Sequence, residues 1–205
     1  MTRKDHWEKV YRKRNVHELG WYEPHLRTSL KWIAELDLAR DDPIIDIGGG
    51  ASNLVDDLLD AGHQAITVLD ISAEALRLAR ARLGERARKV TWIEGDVTVV
   101  ELPEAHFRLW HDRAVFHFLT LPEQQARYRD RLLASLRPEG DLLIATFAPE
   151  APAKCSGLPV QRYSADQLSD TMGKAFELRR YHKELHVTPG GVEQMYLICL
   201  MRRVA

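Results

Sequence analysis

Hydrophobic positions along this chain switch between a spacing near 3.6 and short apolar runs, and the switches mark the elements. The first pattern is helical: from about Lys4 to Arg14, Trp7, Val10 and Tyr11 share one side of a polar helix. Gly20-Trp21-Tyr22-Glu23-Pro24 interrupts it, because Gly and Pro break regular structure. A second helix is predicted from about His25 to Leu38, with Leu26, Leu30, Ile33 and Ala34 inward. From Pro43 the alternation becomes regular. Strand Ile44–Ile47 precedes helix Asn53–Asp60, where Leu54, Val55, Leu58 and Leu59 recur at helical spacing. Strand Ala65–Leu69 leads into a helix capped by Ser72, with Leu76, Ala79 and Leu83 inward. Lys89–Ile93 and Phe107–His111 read as the third and fourth strands. Thr120 and Glu123 have capping-box spacing for a helix reaching about Leu136. Pro138-Glu139-Gly140 is a turn before a strongly apolar fifth strand, Asp141–Phe147. A loop with prolines at 149, 152 and 159 covers Ala148 to Arg162, and Ser164 with Gln167 caps a further helix. The chain closes with strands around Phe176–Leu185 and Gln194–Met201, joined at Pro189-Gly190-Gly191.

Strands alternating with helices over short connections imply an α/β fold with parallel strands and right-handed crossovers. The closing pair is joined by a turn alone, so it forms a hairpin and places one antiparallel strand in the sheet. A length of 205 residues, with no repeat or linker, suits a single domain. Residues 1–40 form a helical lid over one end of the sheet, and 41–205 form the core.

Composition narrows the function by exclusion. The formal net charge of −1 provides no basic field for nucleic acid or anionic lipid. No apolar run has the length of a membrane span. The polar N-terminus does not read as a signal peptide. Cys155 and Cys199 show neither disulfide nor metal spacing, so a reducing cytoplasm and no metal site are expected.

The chemistry centres on Pro43-Ile44-Ile45-Asp46-Ile47-Gly48-Gly49-Gly50-Ala51-Ser52, a strand running through a glycine turn into a helix. Such a corner binds nucleotides in open α/β sheets. A dinucleotide fingerprint needs a third glycine at the sixth position, which here is Asn53. A P-loop needs Gly-Lys-Ser/Thr, also absent. A ligand without phosphate at this corner remains. Asp70 at the end of the second strand can accept both hydroxyls of a ribose. Asp96, beside Val97 at the end of the third, can meet an adenine amino group. Asp46 can organise the glycine turn or meet a ligand ammonium through water. Each acid alone is more often a strand-end cap. Three at successive carboxyl ends mark a ligand site.

Asp46-Ile-Gly48-Gly49-Gly50, Val68-Leu69-Asp70-Ile71-Ser72 and Gly95-Asp96-Val97 resemble the first three motifs of the class I S-adenosylmethionine-dependent methyltransferases. Pro138-Glu139-Gly140 resembles that family's turn into strand five, and Ser52 departs from a frequent third glycine. The resemblance implies a Rossmann-like, seven-stranded sheet of order 3-2-1-4-5-7-6 with strand 7 antiparallel and helices on both faces. It implies S-adenosylmethionine as cofactor. Gly48 and Gly50, with Gly49 between them, would admit the methionine part, Asp70 would hold the ribose, and Asp96 and Val97 would frame the adenine, with Ile71 on its face. An N-terminal aromatic often covers the cofactor in this family, which makes Tyr11 and Trp21 candidates, with core packing the alternative for Trp21.

The acceptor is read after strand four. Trp110-His111-Asp112-Arg113-Ala114 resembles a Trp-Asp-Arg-Gly-Ala segment of thiopurine and related thiol methyltransferases, with His111 extra or displaced. A thiol needs its proton removed, which a nearby base or cation assists. His111, Asp112, Arg113 and His117 are the catalytic candidates, and His111 is also a candidate cofactor contact. Asp112 and Arg113 read equally as a structural ion pair, and His117 equally as a packed residue. Phe116, Cys155 in the long loop and His186 at the hairpin turn are the substrate candidates. Apolar Trp110, Phe116, Phe118 and Leu119 favour a closed small-molecule pocket. The competing readings are a protein-lysine methyltransferase, resembling those acting on elongation factors, and a cofactor-binding protein without catalysis.

Overall fold

The computed structural model describes residues 2–204. Helix α1 (Arg3–Lys13) and helix α2 (Arg27–Glu35) precede the first strand, with a single 3-10 turn at Val16–Glu18 between them. The main sheet comprises β1 (Ile44–Ile47), β2 (Ile66–Asp70), β3 (Val90–Glu94), β4 (Phe107–Arg113), β5 (Leu136–Phe147), β6 (Phe176–Val187) and β7 (Glu193–Arg203). Helices α3 (Leu54–Asp60), α4 (Ala73–Leu83), α5 (Pro122–Ser135) and α6 (Ala165–Met172) connect them. The strand order is β3-β2-β1-β4-β5-β7-β6, with β7 antiparallel to both neighbours. This is the doubly wound sheet expected from the alternation.

Side chains alternate across each strand, so successive residues enter different cores. Ile44 and Leu109 join the layer under α2, α3 and α4, packed with Trp32, Ile33, Leu54, Leu58 and Leu76. Ile45, Ile47 and Trp110 join the opposite layer with Tyr128 and Leu132 of α5 and Leu168 and Met172 of α6. β1 and β4 run parallel in register, with Asp46 opposite His111 and Ile47 opposite Asp112.

Three local expectations are revised. Helix α2 turns Ser29, Trp32 and Ile33 inward and leaves Ala34 exposed. Ser29, Trp32 and Ile33 share an i, i+3, i+4 stripe, which Ala34 leaves by about 100°. Pro138-Glu139-Gly140 lies within the span of β5, as a four-residue excursion at 137–140. The pairing jumps there from Phe107–Leu136 to Leu109–Asp141. The loop after β5 contains a small hairpin, Lys154–Cys155 paired with Leu158–Pro159. Its turn residues Ser156 and Gly157 have φ of 51° and 82°, the signs a two-residue hairpin turn requires.

The two capping boxes also part company. Ser164 Oγ accepts from Gln167 N–H at 3.2 Å, and Gln167 Oε1 accepts from Ser164 N–H at 3.0 Å. Helix α5 instead starts with Pro122 at its first turn and Leu121 as N-cap, with no side-chain cap. Proline's fixed φ suits that first position and moves the boundary one residue past Thr120. Ser164→Ala is therefore expected to lower stability by about 1 kcal/mol, and Thr120→Ala to change it by less than about 0.5 kcal/mol, in denaturant unfolding.

Candidate active site

The carboxyl ends of β1, β2 and β4 open into a cleft of two lobes. Trp21, Ile47, Gly48 and Arg113 line both. The first lobe runs towards β2 and β3 and is lined by Asp70, Ile71, Asp96 and Val97, with Trp7 and Tyr11 of α1 above them. The second runs along the glycine turn beside Asp46, Gly49, Glu23 and His111. Gly48, at φ +67°, lets the two chain ends meet: a Cβ there would lie 2.1 Å from Val115 Cγ2. Gly50 lies behind the wall, where a Cβ would stand 2.4 Å from Asp70 Oδ2.

Asp70 is almost wholly buried. Its Oδ2 accepts Gly50 N–H at 3.1 Å and its Oδ1 accepts Ser72 N–H at 2.8 Å. Burial pushes its pKa up to about 7, against those two hydrogen bonds and with help from the charges of Asp46 and Glu8. Asp96 Oδ1 accepts from the N–H and hydroxyl of Thr98, both at 2.8 Å, and its Oδ2 lies 3.9 Å from Arg3.

Asp46 and His111 are cross-strand neighbours on the α2 side of the sheet. Asp46 Oδ1 lies 2.7 Å from His111 Nδ1, and His111 Nε2 lies 3.0 Å from Ser29 Oγ. All three are buried. Asp46 Oδ2 is left with no partner among the described residues. His111 therefore fixes the carboxylate and stands at the end of the second lobe, with both ring nitrogens engaged. That arrangement does not fit a free general base. Ser29 escaped the sequence reading, although it occupies a polar position in the apolar stripe of α2.

The other acceptor-side candidates separate. Asp112 is fully buried on the opposite face. It accepts Val115 N–H at 2.8 Å, Phe116 N–H at 3.2 Å and the Tyr128 hydroxyl at 2.7 Å. Burial raises its pKa to about 6 despite these bonds. It neither reaches the cleft nor pairs with Arg113. Arg113 instead donates to Trp21 O at 2.9 Å and Glu23 Oε1 at 2.6 Å, with its guanidinium 4.8 Å from the Tyr196 ring centre. His117 is fully buried, stacked edge-on against Phe118 and Phe147. Burial and the nearby Arg113 push its pKa down to about 3, so it is neutral at physiological pH and too weak a base for a thiol.

Phe116 packs on Tyr128 and Tyr163 in the far core and is fully buried, so it does not contact the cleft. Phe118, two residues on, lines it instead. Cys155 also lines the cleft, with its thiol pushed up to about 11 by burial, hence protonated. His186 is buried away from both lobes, 2.9 Å from Glu23 Oε1 and 2.7 Å from Gly20 O. It ties the lid segment to the sheet. Among the described residues no group of three or more His, Cys, Asp or Glu side chains gathers for a metal ion.

The cover over the first lobe is aromatic. Trp7 lies 5.4 Å from Trp21 and 5.2 Å from Phe118 between ring centres, both edge-on, and Tyr11 lies 6.0 Å from Trp21. Glu8, on the same helix, accepts from Ala73 N–H at 2.6 Å, where α4 begins.

Residues 44–140 match a family model described as a methyltransferase domain. Together with the fold, this match supports a class I S-adenosylmethionine-dependent methyltransferase. Among solved structures, a methyltransferase of Anabaena variabilis superposes on the methyltransferase domain with TM-score 0.77 at 16% identity, covering 99% of this chain and 96% of that one. The protein of "Conversion of a Disulfide Bond into a Thioacetal Group during Echinomycin Biosynthesis" gives 0.78 at 18% identity, covering 99% and 92%. A 1,6-didemethyltoxoflavin-N1-methyltransferase of Burkholderia thailandensis, with its substrate and S-adenosylhomocysteine bound, gives 0.68 at 20%, covering 98% and 84%. Among curated proteins, the eEF1A lysine and N-terminal methyltransferases of Mus musculus and Homo sapiens are 28% and 25% identical over 134 residues. The match takes in 64% of this chain but spans only 19% of those relatives. The methyltransferase's residues suit S-adenosylmethionine: an orphaned carboxylate oxygen on Asp46 suits an ammonium, and buried Asp70 suits hydroxyl donors.

The burial of Asp112 has a measurable consequence. Asp112→Ala leaves two N–H groups and the Tyr128 O–H without an acceptor in the core, and is expected to cost about 3 kcal/mol in denaturant unfolding.

Proposed function

We propose that the protein transfers a methyl group from S-adenosylmethionine to a small-molecule acceptor with a soft nucleophile, a thiol foremost. Arg113 carries this reading: it lines both lobes, so it stands where the two ends of the cofactor join. Aromatic Trp7, Trp21 and Phe118 enclose the same place. A cation beside the attacking atom favours a thiolate and opposes an ammonium. The cofactor supplies an electrophilic sulfonium methyl when bound. The chain's part is to hold its two ends and exclude water. Asp46, fixed by His111 and Ser29, offers Oδ2 to the methionine ammonium. Gly48 and Gly49, whose missing side chains let the turn pack on Val115 and Asp46, present their backbone along the methionine chain. Asp70 takes the ribose hydroxyls, Asp96 and Val97 flank the adenine, Ile71 lies against its face, and Tyr11 and Trp21 close over the top. Residues 1–40 act as the lid of a single domain spanning 1–205.

The second reading, methylation of a protein lysine, has the similarity to the eEF1A methyltransferases in its favour. The structural neighbour that turns a disulfide into a thioacetal leans to sulfur. Incubation with radiolabelled S-adenosylmethionine, a thiol panel and cell lysate separates the two. Label is expected in a small-molecule thioether, and label confined to lysate protein would reverse the order of the readings.

Asp70 gives the cofactor step a pH dependence. Its pKa in the folded protein is raised from 3.8 to about 7, so a proton competes with the ribose below that value. S-adenosylhomocysteine affinity is expected to rise from about pH 6 to about pH 8 and then level off. The stability of the free protein from this group runs the other way, since the native state holds the extra proton between the two values. It is highest at the acidic end and falls as pH rises through about 7. Calorimetry on wild type and Asp70→Asn checks this, and a pH profile unaltered in the variant would remove Asp70 as the source.

A further inference from the structure

Two buried donors behind the cleft have no hydrogen-bond partner among the described residues. His117 Nδ1 accepts the N–H of Phe147 at 3.3 Å. A neutral imidazole carries one proton, so that proton is on Nε2. His117 Nε2 has no partner, and the ring is wholly buried. The Tyr196 hydroxyl is likewise buried and unpartnered. Burial holds that phenol well above its ordinary pKa, so it too keeps its proton. A buried donor without an acceptor costs about 1–3 kcal/mol.

Neither donor lines the cleft itself; each lies directly behind a side chain that does. His117 stacks on Phe118 with ring centres 4.4 Å apart, and Tyr196 lies under the Arg113 guanidinium at 4.8 Å. Phe118, Arg113 and Cys155 are all lining residues. Phe147 bridges the two donors, its ring 4.8 Å from His117 and 5.1 Å from Tyr196. The neighbouring charge is a cation, Arg113, whose own carboxylate partner Glu23 also faces His186. An N–H, a phenol and a guanidinium thus meet here, and the phenol oxygen is the group among the three that can also accept.

We propose that His117 Nε2–H and the Tyr196 hydroxyl, reached between Arg113, Phe118 and Cys155, receive the head group of the methyl acceptor, and that this head group is an anion such as a thiolate. The proposal rests on the small-acceptor reading and adds the charge of the acceptor and the residues that recognise it. It also accounts for the lack of a free general base on this wall. A thiolate arrives already deprotonated. Its lone pair forms the new S–C bond while the sulfonium S–CH3 bond breaks and leaves its electron pair on that sulfur. An anion and a cation become two neutral thioethers, and no proton moves. An ammonium acceptor would have to shed a proton first, next to donors that cannot take it.

The test is calorimetric titration of the S-adenosylhomocysteine-loaded protein with benzenethiol, benzoate and benzylamine near pH 8, alongside turnover of benzenethiol. Tyr196→Phe removes one unpartnered oxygen and keeps the ring under Arg113, so it is expected to fold with an unchanged or higher Tm. Wild type is expected to bind benzenethiol and benzoate and not benzylamine. Tyr196→Phe is expected to weaken both anions about tenfold or more with S-adenosylhomocysteine affinity unchanged. His117→Phe should do the same wherever it folds. Benzylamine binding as tightly as the anions, no binding by any of the three, or equal anion binding in Tyr196→Phe would each overturn the assignment. Anion binding that depends on Tyr196 without methylation of benzenethiol upholds the subsite and removes the thiol reading. Methylation that ignores Tyr196→Phe does the reverse.

Discussion

Gly48 and Val115 meet where the first and fourth strands run out, and the cleft depends on that contact. β1 and β4 are parallel neighbours in register, so their chain ends leave the sheet side by side. Gly48 turns at φ +67° with no side chain, and Val115 Cγ2 fills the space a Cβ would need. Ala114, just before, takes φ 71°, a conformation costing an L-residue roughly 1–2 kcal/mol. Asp112 secures the far side of this turn by accepting Val115 and Phe116 N–H groups. The strained turn places Arg113 between the two lobes and sends Phe118 to the rim. A buried acid on one face of the sheet thus sets the shape of a site on the other.

The strands and the carboxyl-end acids were legible because they rest on strong, local signals, whereas the sheet order came with the family resemblance. Alternating apolar runs and caps marked every strand of the main sheet, although β5 begins at Leu136 rather than Asp141, and the glycines with Asp70 and Asp96 marked the corner. The acceptor side was harder for a definite reason. His111, Asp112 and Arg113 are adjacent in sequence, and a strand sends adjacent residues to opposite faces. Reading them as one cluster could not survive the pleat. His111 and Arg113 face α2 and the lid, whereas Asp112 faces α5. Phe116 and Phe118 divide similarly across a single 3-10 turn at Phe116–Phe118. Ser29, Glu23 and Tyr196 lie 82, 90 and 83 residues from the β4 groups they meet, and no local pattern announces such pairings.

The polar groups on the α2 face of the sheet form two systems with different consequences. Ser29, His111 and Asp46 make a chain of three whose only loose end is an oxygen, Asp46 Oδ2. Beside Arg113, the Tyr196 hydroxyl and His117 Nε2 are without partners among the described residues. On the proposed reading, one region receives a positive group and the other a negative one, on either side of the cleft. An ammonium at one end and an anion at the other are the charges that a methionine-derived sulfonium donor and a thiolate acceptor bring.

The lid is held to the core by unequal means. α1 meets the rim through Lys4 with Glu94 and Arg3 with Asp96, exposed pairs that water screens, and through Glu8, which accepts Ala73 N–H. The segment from Leu19 to Leu26 is fixed more firmly: both leucines are buried, Arg113 grips Trp21 O and Glu23, and His186 grips Gly20 O. Breaking the Glu23–Arg113 contact would strand a partly desolvated charge, whereas parting α1 from β3 returns exposed charges to water. The hold on the chain therefore weakens from Glu23 back towards Arg3. Trp7 and Tyr11 of the aromatic cover hang on the weaker end, and Trp21 with the groups around Arg113 hangs on the stronger. Exchange of an adenosine-bearing ligand thus costs less through α1 than through the segment that positions Arg113.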